Sequence, residues 1–209
     1  MNELPTLRIA LDIDDVLSDF IPAINRVWEE LEPHDHWDSN GPSGQAIADH
    51  KDLMLNPTFW YNLNPITLAS EVAQISDFVY CYITSSPREV ASVRRKWLAE
   101  NGFPVRPVIS SANKALTMTR LGCNVLIDDN PLNVNKALAA GHNAFLFQPW
   151  YNDVDHTGTP LSPHVIKSVT DAKVFSLIDT FKQEVNEILM KQQQKESRLQ
   201  QGSNLIKKL

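Results

Sequence analysis

Apolar residues crowd together at Leu7, Ile9, Ala10, Leu11 and Ile13, and such a run predicts a strand buried on both faces of a parallel sheet. Similar runs recur at Phe78–Ile83, Val105–Ile109, Val125–Ile127 and Ala144–Phe147. Between them the period changes. Phe20, Ile24, Val27 and Leu31 fall at helical spacing, predicting an amphipathic helix over 17–32 with Pro22 tolerated in its first turns. A second helix is expected from Asn64-Pro65 to about Ser76. A third has Ser86 as its N-cap, Pro87 at its first position and Glu89 three after the cap; Val90, Val93, Trp97 and Leu98 mark its apolar face, and Asn101-Gly102 stops it. A fourth runs from Ser111, its expected N-cap, to Leu121, and a fifth from Pro131 to Ala140, each closed by a glycine. Beyond about Pro160 the chain returns to helix, with Ile178, Phe181, Val185 and Ile188 on one face. After Met190 the apolar spacing fails, which predicts a frayed tail or an oligomer contact such as a homodimer interface.

Strands that alternate with helices imply right-handed crossovers and an α/β fold with a doubly wound parallel sheet. Such a sheet binds ligands beyond the carboxyl ends of its strands. The irregular stretch 33–43 carries His34, Asp35, His36 and Asp38, but their spacing matches no common ligand pattern and reads as a surface loop.

Composition narrows the function classes. The chain has 209 residues, 43% of them hydrophobic, enough for one good core and a small insert. A formal charge of −6 and the lack of a basic stripe argue against nucleic-acid polymers as partners. Cys81 and Cys123 form no CxxC pair and lie in or beside apolar runs, so core thiols in a reducing compartment are expected. No stretch is apolar enough to span a bilayer, and the N-terminus has no signal pattern; a soluble, cytoplasmic protein is expected.

The chemistry gathers at strand ends. The first strand leads into Asp12, Asp14 and Asp15, the second into Thr84 and Ser85, and the fourth into Asp128 and Asp129. Side chains two apart on an extended chain point the same way, so Asp12 and Asp14 can converge. Crowded carboxylates need a cation or a shared proton, and hard oxygen ligands suit Mg²⁺. Hydroxyls and Lys114, whose position in the first turn of its helix opposes the macrodipole, suit a phosphate. A site that wants both is a phosphoryl-transfer site with an aspartate nucleophile.

The order of DxD in LDIDDVLSDF, Thr-Ser in YITSSP, a lysine, and Asp-Asp in NVLIDDNP resembles the four motifs of the haloacid dehalogenase superfamily. With FWYNLNPITLA and AFLFQPWYN, residues 7–151 are most similar within it to the 5'(3')-deoxyribonucleotidases and their bacterial and phage relatives. The resemblance implies that Asp12 is the nucleophile, that Asp14 is general acid and then base, and that Thr84, Ser85 and Lys114 bind the phosphoryl group. It also implies a Mg²⁺ cofactor held by Asp12, Asp128 and the Asp14 backbone carbonyl, with Asp129 holding a metal water or orienting Lys114. Asp15 stands where many relatives have glycine. The division implied is an α/β core over 1–16 and 77–170, a helical cap over 17–76, and a C-terminal helix with a polar tail over 171–209. The cap would close over the substrate, with Phe20, Trp28, Phe59 and Trp60 as base-packing candidates and Trp37 and Tyr61 beside them.

The expected activity is hydrolysis of small phosphomonoesters, nucleoside monophosphates first among them. Two alternatives stand beside it: a phosphatase of the same fold for another small ester, and a non-catalytic binding protein. A response-regulator receiver is excluded by order, because its acidic pair comes first and its lysine last, whereas here Lys114 precedes Asp128-Asp129.

Overall fold

The computed structural model describes residues 4–27, 47, 51–148 and 164–206. The chain divides into two compact units, residues 8–171 and a second of residues 1–7 with 172–209.

The larger unit is built on strands β1 (Ile9–Leu11), β2 (Val79–Thr84), β3 (Val108–Ser110), β4 (Val125–Asp128), β5 (Asn143–Phe147) and β6 (Val165–Ile166). All pair in parallel, in the order β3-β2-β1-β4-β5-β6. The chain steps outward from β1 through β2 to β3, then returns to lay β4 on the other side of β1. The switch therefore lies between β1 and β4, where an open α/β sheet leaves a crevice. The three residues of β1 are fully buried, as a central parallel strand covered on both faces requires.

Helices α1 (Phe20–Val27), α2 (Lys51–Met54), α3 (Pro57–Tyr61) and α4 (Ala69–Gln74) occupy the described part of the link between β1 and β2. A 3-10 turn at Arg88–Val90 and α5 (Ala91–Glu100) follow β2, α6 (Lys114–Leu121) follows β3, and α7 (Pro131–Ala139) follows β4. One face of the sheet buries Ala10, Ile83, Leu126 and Leu146 against Met118 of α6 and Val134 and Ala137 of α7. Cys81 and Cys123 lie in this core as free thiols, Sγ to Sγ 3.9 Å, as the sequence predicts.

Several boundaries differ from expectation, each for a local reason. Helix α1 begins at Phe20 rather than near Leu17 because 14–18 form a turn: Asp15 takes a left-handed φ of 54°, and the Leu17 and Ser18 amides both bond the Ile13 carbonyl. The helix expected from Asn64-Pro65 starts at Ala69, because residues 64–67 pair instead with 16–19. The Asp19 amide donates to the Asn64 carbonyl at 3.0 Å, the Ile66 amide to the Leu17 carbonyl at 2.8 Å, and the Thr67 hydroxyl to the Val16 carbonyl at 2.5 Å. Ser86 does not cap a helix. Pro87 is extended at ψ 145°, so the chain enters the 3-10 turn only at Arg88 and α5 only at Ala91. Helix α6 is capped by Asn113, whose side chain accepts from the Leu116 amide, while Ser111 accepts from Asn113 outside the helix. Strand β6 is too short to carry a readable alternation.

In the second unit, α8 runs unbroken over Ala172–Ile206. The apolar period does end near Met190, yet the polar continuation is mostly lysine, glutamine, glutamate and arginine, which are good helix formers, and Lys191 pairs with Glu187 one turn back. Among the described residues no helix is long and apolar enough to cross a membrane.

Candidate active site

Asp12 is the first residue past β1, and its amide donates to the Ile127 carbonyl of β4 at 2.9 Å. The two strands that flank the switch thus bring Asp12 and Asp128 to one point. Lys114, at the first turn of α6, reaches between them. Its Nζ lies 2.6 Å from Asp12 Oδ2 and 2.7 Å from Asp128 Oδ2, and all three side chains are buried. The second oxygens are also satisfied: Asp12 Oδ1 accepts from the Ile13 amide at 2.7 Å, and Asp128 Oδ1 from the Asn130 amide at 2.9 Å and Asn133 Nδ2 at 3.1 Å. The unfavourable macrodipole position of Lys114 is thereby explained, since two carboxylates outweigh one helix end.

Asp14 is held from a different side. Its Oδ2 accepts from the Thr84 hydroxyl at 2.7 Å, and its Oδ1 lies 2.6 Å from Arg94 Nη2. The Thr84 hydroxyl in turn accepts from the Ser86 amide at 2.9 Å. Ser85 is exposed, and Ser86 is buried with its hydroxyl unpartnered among the described residues.

A cavity of about 290 Å³ opens over these groups. Asp12, Asp14, Asp15, Lys114, Asp129, Ser85 and Ser86 form its polar side, and Phe20, Ile21, Ile47, Met54 and Trp60 its apolar side. Thr84, Asp128 and Phe59 do not line it. Thr84 contacts Asp14 and Asp128 contacts Lys114 from outside the lining, and Phe59 meets Trp60 edge-on at 5.4 Å. Phe20 stacks on Trp60 with centroids 5.2 Å apart and planes at 9°. Tyr61 faces away and donates to Glu100 at 2.6 Å. Trp28, Trp37 and the His34–Asp38 loop fall outside the described residues.

Sequence reasoning missed two residues here. Arg94 sits in a basic run beside exposed Arg95 and Lys96, yet Val90, Arg94, Trp97 and Leu98 are the buried ones. The legible signal was an arginine placed four after Val90 and three before Trp97, inside the apolar stripe. Ser86, read as a helix cap, is instead a buried residue of the cavity wall whose hydroxyl has no partner among the described residues.

The electrostatics follow from crowding. Burial pushes Asp12 up to about 8, with Asp128 and Asp14 adding to the rise and Lys114 opposing it. Burial, followed by neighbouring acids, likewise raises Asp15 and Asp129 well above the usual carboxylate range. Burial alone would lower Lys114, but Asp12 and Asp128 more than offset it and hold its pKa above the lysine norm. The pH dependence has a definite sign. A carboxyl raised by folding keeps its proton in the folded state after the unfolded chain has lost it. Its contribution is complete below its ordinary value of 3.8 and drains away as pH climbs to about 8. With chelator present, the melting temperature is expected to fall between about pH 5 and about pH 8, less steeply in Asp12→Asn. A flat or rising profile in the wild type would contradict this electrostatic account.

Asp12, Asp128 and Asp129 each present one carboxylate oxygen within 4.8 Å of the others, all buried. Three hard oxygen donors with one lysine for compensation form a set that fits a divalent cation.

No protein-family model matches the chain, and no curated protein matches it. Solved structures do. A hydrolase from Pseudomonas syringae aligns with a TM-score of 0.54 and 11% identity, over 84% of this chain and 99% of that one. A haloacid dehalogenase-like protein of unknown function from Agrobacterium tumefaciens aligns at 0.53 and 13%, over 84% and 99%. A dehalogenase aligns at 0.51 and 13%, over 84% and 98%. The fold is haloacid dehalogenase-like. The doubly wound parallel sheet read from the sequence is the sheet of that fold, and the cavity sits at its switch point.

Proposed function

We propose that this chain is a Mg²⁺-dependent phosphomonoesterase acting on nucleoside monophosphates through an aspartyl-phosphate on Asp12. The observation that carries the reading is Lys114 seated between Asp12 and Asp128 at the floor of a cavity whose other side is aromatic. A lysine so placed neutralises both the attacking carboxylate and the incoming phosphoryl oxygens. Ser86, whose hydroxyl has no partner among the described residues, and exposed Ser85 both line the cavity and support the same reading, because a phosphoryl oxygen can satisfy an unpaired donor.

The residues divide the work. The Asp12 carboxylate attacks phosphorus as the ester P–O bond breaks, and Asp14 gives its proton to the departing alkoxide. Asp14 then takes a proton from water, the water oxygen attacks phosphorus, and the bond to Asp12 opens to release inorganic phosphate. Asp12, Asp128 and Asp129, with the Asp14 carbonyl, would hold Mg²⁺, which supplies positive charge for the nucleophile and the transferred group. Ile21, Met54 and the Phe20–Trp60 stack offer a flat apolar wall to a base, and that wall supports the nucleotide choice. A volume of about 290 Å³ is at the small end of ligand pockets and favours a second reading, a compact sugar phosphate as substrate.

The test is phosphate release from deoxy- and ribonucleoside monophosphates and sugar phosphates, each with Mg²⁺ and with chelator. Mg²⁺-dependent release from nucleotides is the expected result. Release from sugar phosphates alone would replace the substrate class, and release from nothing would overturn the phosphatase. Mg²⁺ at about 5 mM should also raise the melting temperature more at about pH 8 than at about pH 5, because the ion binds deprotonated carboxylates. Equal shifts at both values would speak against binding at the three aspartates.

A further inference from the structure

Arg94 is the largest charged side chain fully buried in the described protein, and the reaction above does not use it. It projects from α5 into a slot between two indoles, its guanidinium carbon 5.2 Å from the Trp60 ring centroid and 5.1 Å from that of Trp97. Each indole is tied in place: Trp60 Nε1 donates to the Met54 carbonyl at 2.7 Å, and Trp97 Nε1 to the Leu63 carbonyl at 2.8 Å. From this slot Nη2 donates to Asp14 Oδ1 at 2.6 Å and to the Ser18 hydroxyl at 2.9 Å, and Nη1 reaches the Trp60 carbonyl at 3.3 Å. Thr84 holds the other oxygen of Asp14. The carboxyl is thus clamped at both oxygens, by β2 on one side and by a guanidinium fixed to the aromatic wall on the other.

We propose that Arg94 is a positioning residue that aims Asp14, registering it against the same wall that packs the substrate. The assignment rests on the phosphomonoesterase reading. A planar fork with several donors suits this role, because one rigid group can bond the acid, the Ser18 turn and the Trp60 backbone together. Its location explains why a full charge is buried there. No residue of the helix that carries it lines the cavity, so its effect on the reaction runs through Asp14.

Aim matters unequally in the two steps, and p-nitrophenyl phosphate separates them. In the first step nitrophenolate leaves with the bonding electron pair and needs no proton, so Asp12 can be phosphorylated even with Asp14 adrift. In the second step Asp14 must meet water: it takes the proton, the water oxygen bonds to phosphorus, and the electron pair of the Asp12–phosphorus bond returns to the Asp12 carboxylate. With Mg²⁺ present, Arg94→Ala should therefore release a burst of nitrophenolate close to one per enzyme, followed by steady turnover about 10- to 100-fold below wild type. Acid-quenched Arg94→Ala should carry phosphate on Asp12 in larger amount than the wild type. Arg94→Lys keeps a cation between the indoles as a point charge without the fork, and serves if the alanine variant does not fold; it should show the same burst with a smaller loss. Steady turnover equal to wild type, or a loss in which burst and steady rate shrink together in a folded variant, would overturn the assignment. A wild type that releases phosphate from no nucleotide, sugar phosphate or nitrophenyl phosphate would instead overturn the phosphatase reading and this role with it.

Discussion

Asp12→Asn should abolish phosphate release, with a loss of about 10⁴-fold or more, because no other group at the site can take over as nucleophile. The loss is expected from a folded protein. The amide removes one of several buried acids, which relieves crowding around a side chain whose pKa burial lifts to about 8. It also presents an NH₂ either to Lys114 or to the Ile13 amide, groups that now face carboxylate oxygens at 2.6 and 2.7 Å. These effects oppose each other, so the melting temperature should move by only a few degrees, on the order of 1 kcal/mol. The measurement pairs phosphate release with a thermal melt. Full turnover in the variant would exclude covalent catalysis at Asp12, whereas no turnover in either protein would bring the binding-protein reading forward.

Lys114→Met should cost both stability and activity, and the stability cost should depend on pH. Methionine fills much of the lysine stem's volume but leaves Asp12 and Asp128 facing each other in a buried site with no cation. Breaking a buried ionic cluster by removing one partner costs about 3–5 kcal/mol. At the acid end the site can escape by keeping protons. Asp12 is already raised from 3.8 to about 8 with the lysine present, and losing the lysine raises it further. The penalty is thus small near pH 5 and grows as pH climbs through about 8. Urea unfolding at both pH values checks this, and an equal penalty at each would show that lost packing dominates. Turnover should fall by about 10²- to 10³-fold, as when one preorganised charge partner of the transition state is removed. A variant with normal turnover would remove Lys114 from the chemistry.

The local rules and the tertiary arrangement contributed differently. Buried parallel strands are continuous apolar runs, so β1, β2, β4 and β5 were visible without a structure, and so were the acids and hydroxyls at their ends. Glycines 102, 122 and 141 take positive φ after α5, α6 and α7, and their helix-stopping role was equally legible. Such features depend on neighbours within a turn or two of the chain. Helix starts were less legible where a distant segment competed for the backbone. Residues 64–67 read as a helix opening but pair with 16–19, and Ser86 read as a cap but closes no helix.

The sequence by itself determined the α/β alternation, the strand-end placement of Asp12, Asp14, Thr84 and Asp128, and Lys114 as an odd cation in a helix's first turn. Only the tertiary structure decided what these groups do to one another. It put β4 beside β1, so that residues 116 positions apart share one lysine. It seated Arg94 between two tryptophans to hold Asp14, and it put Ser86 in the cavity wall with no hydroxyl partner among the described residues. The reason is range. Propensity, period and capping are settled by a few adjacent residues, whereas a pKa, an ion pair or an unpartnered hydroxyl depends on what the sheet order brings within a few ångströms.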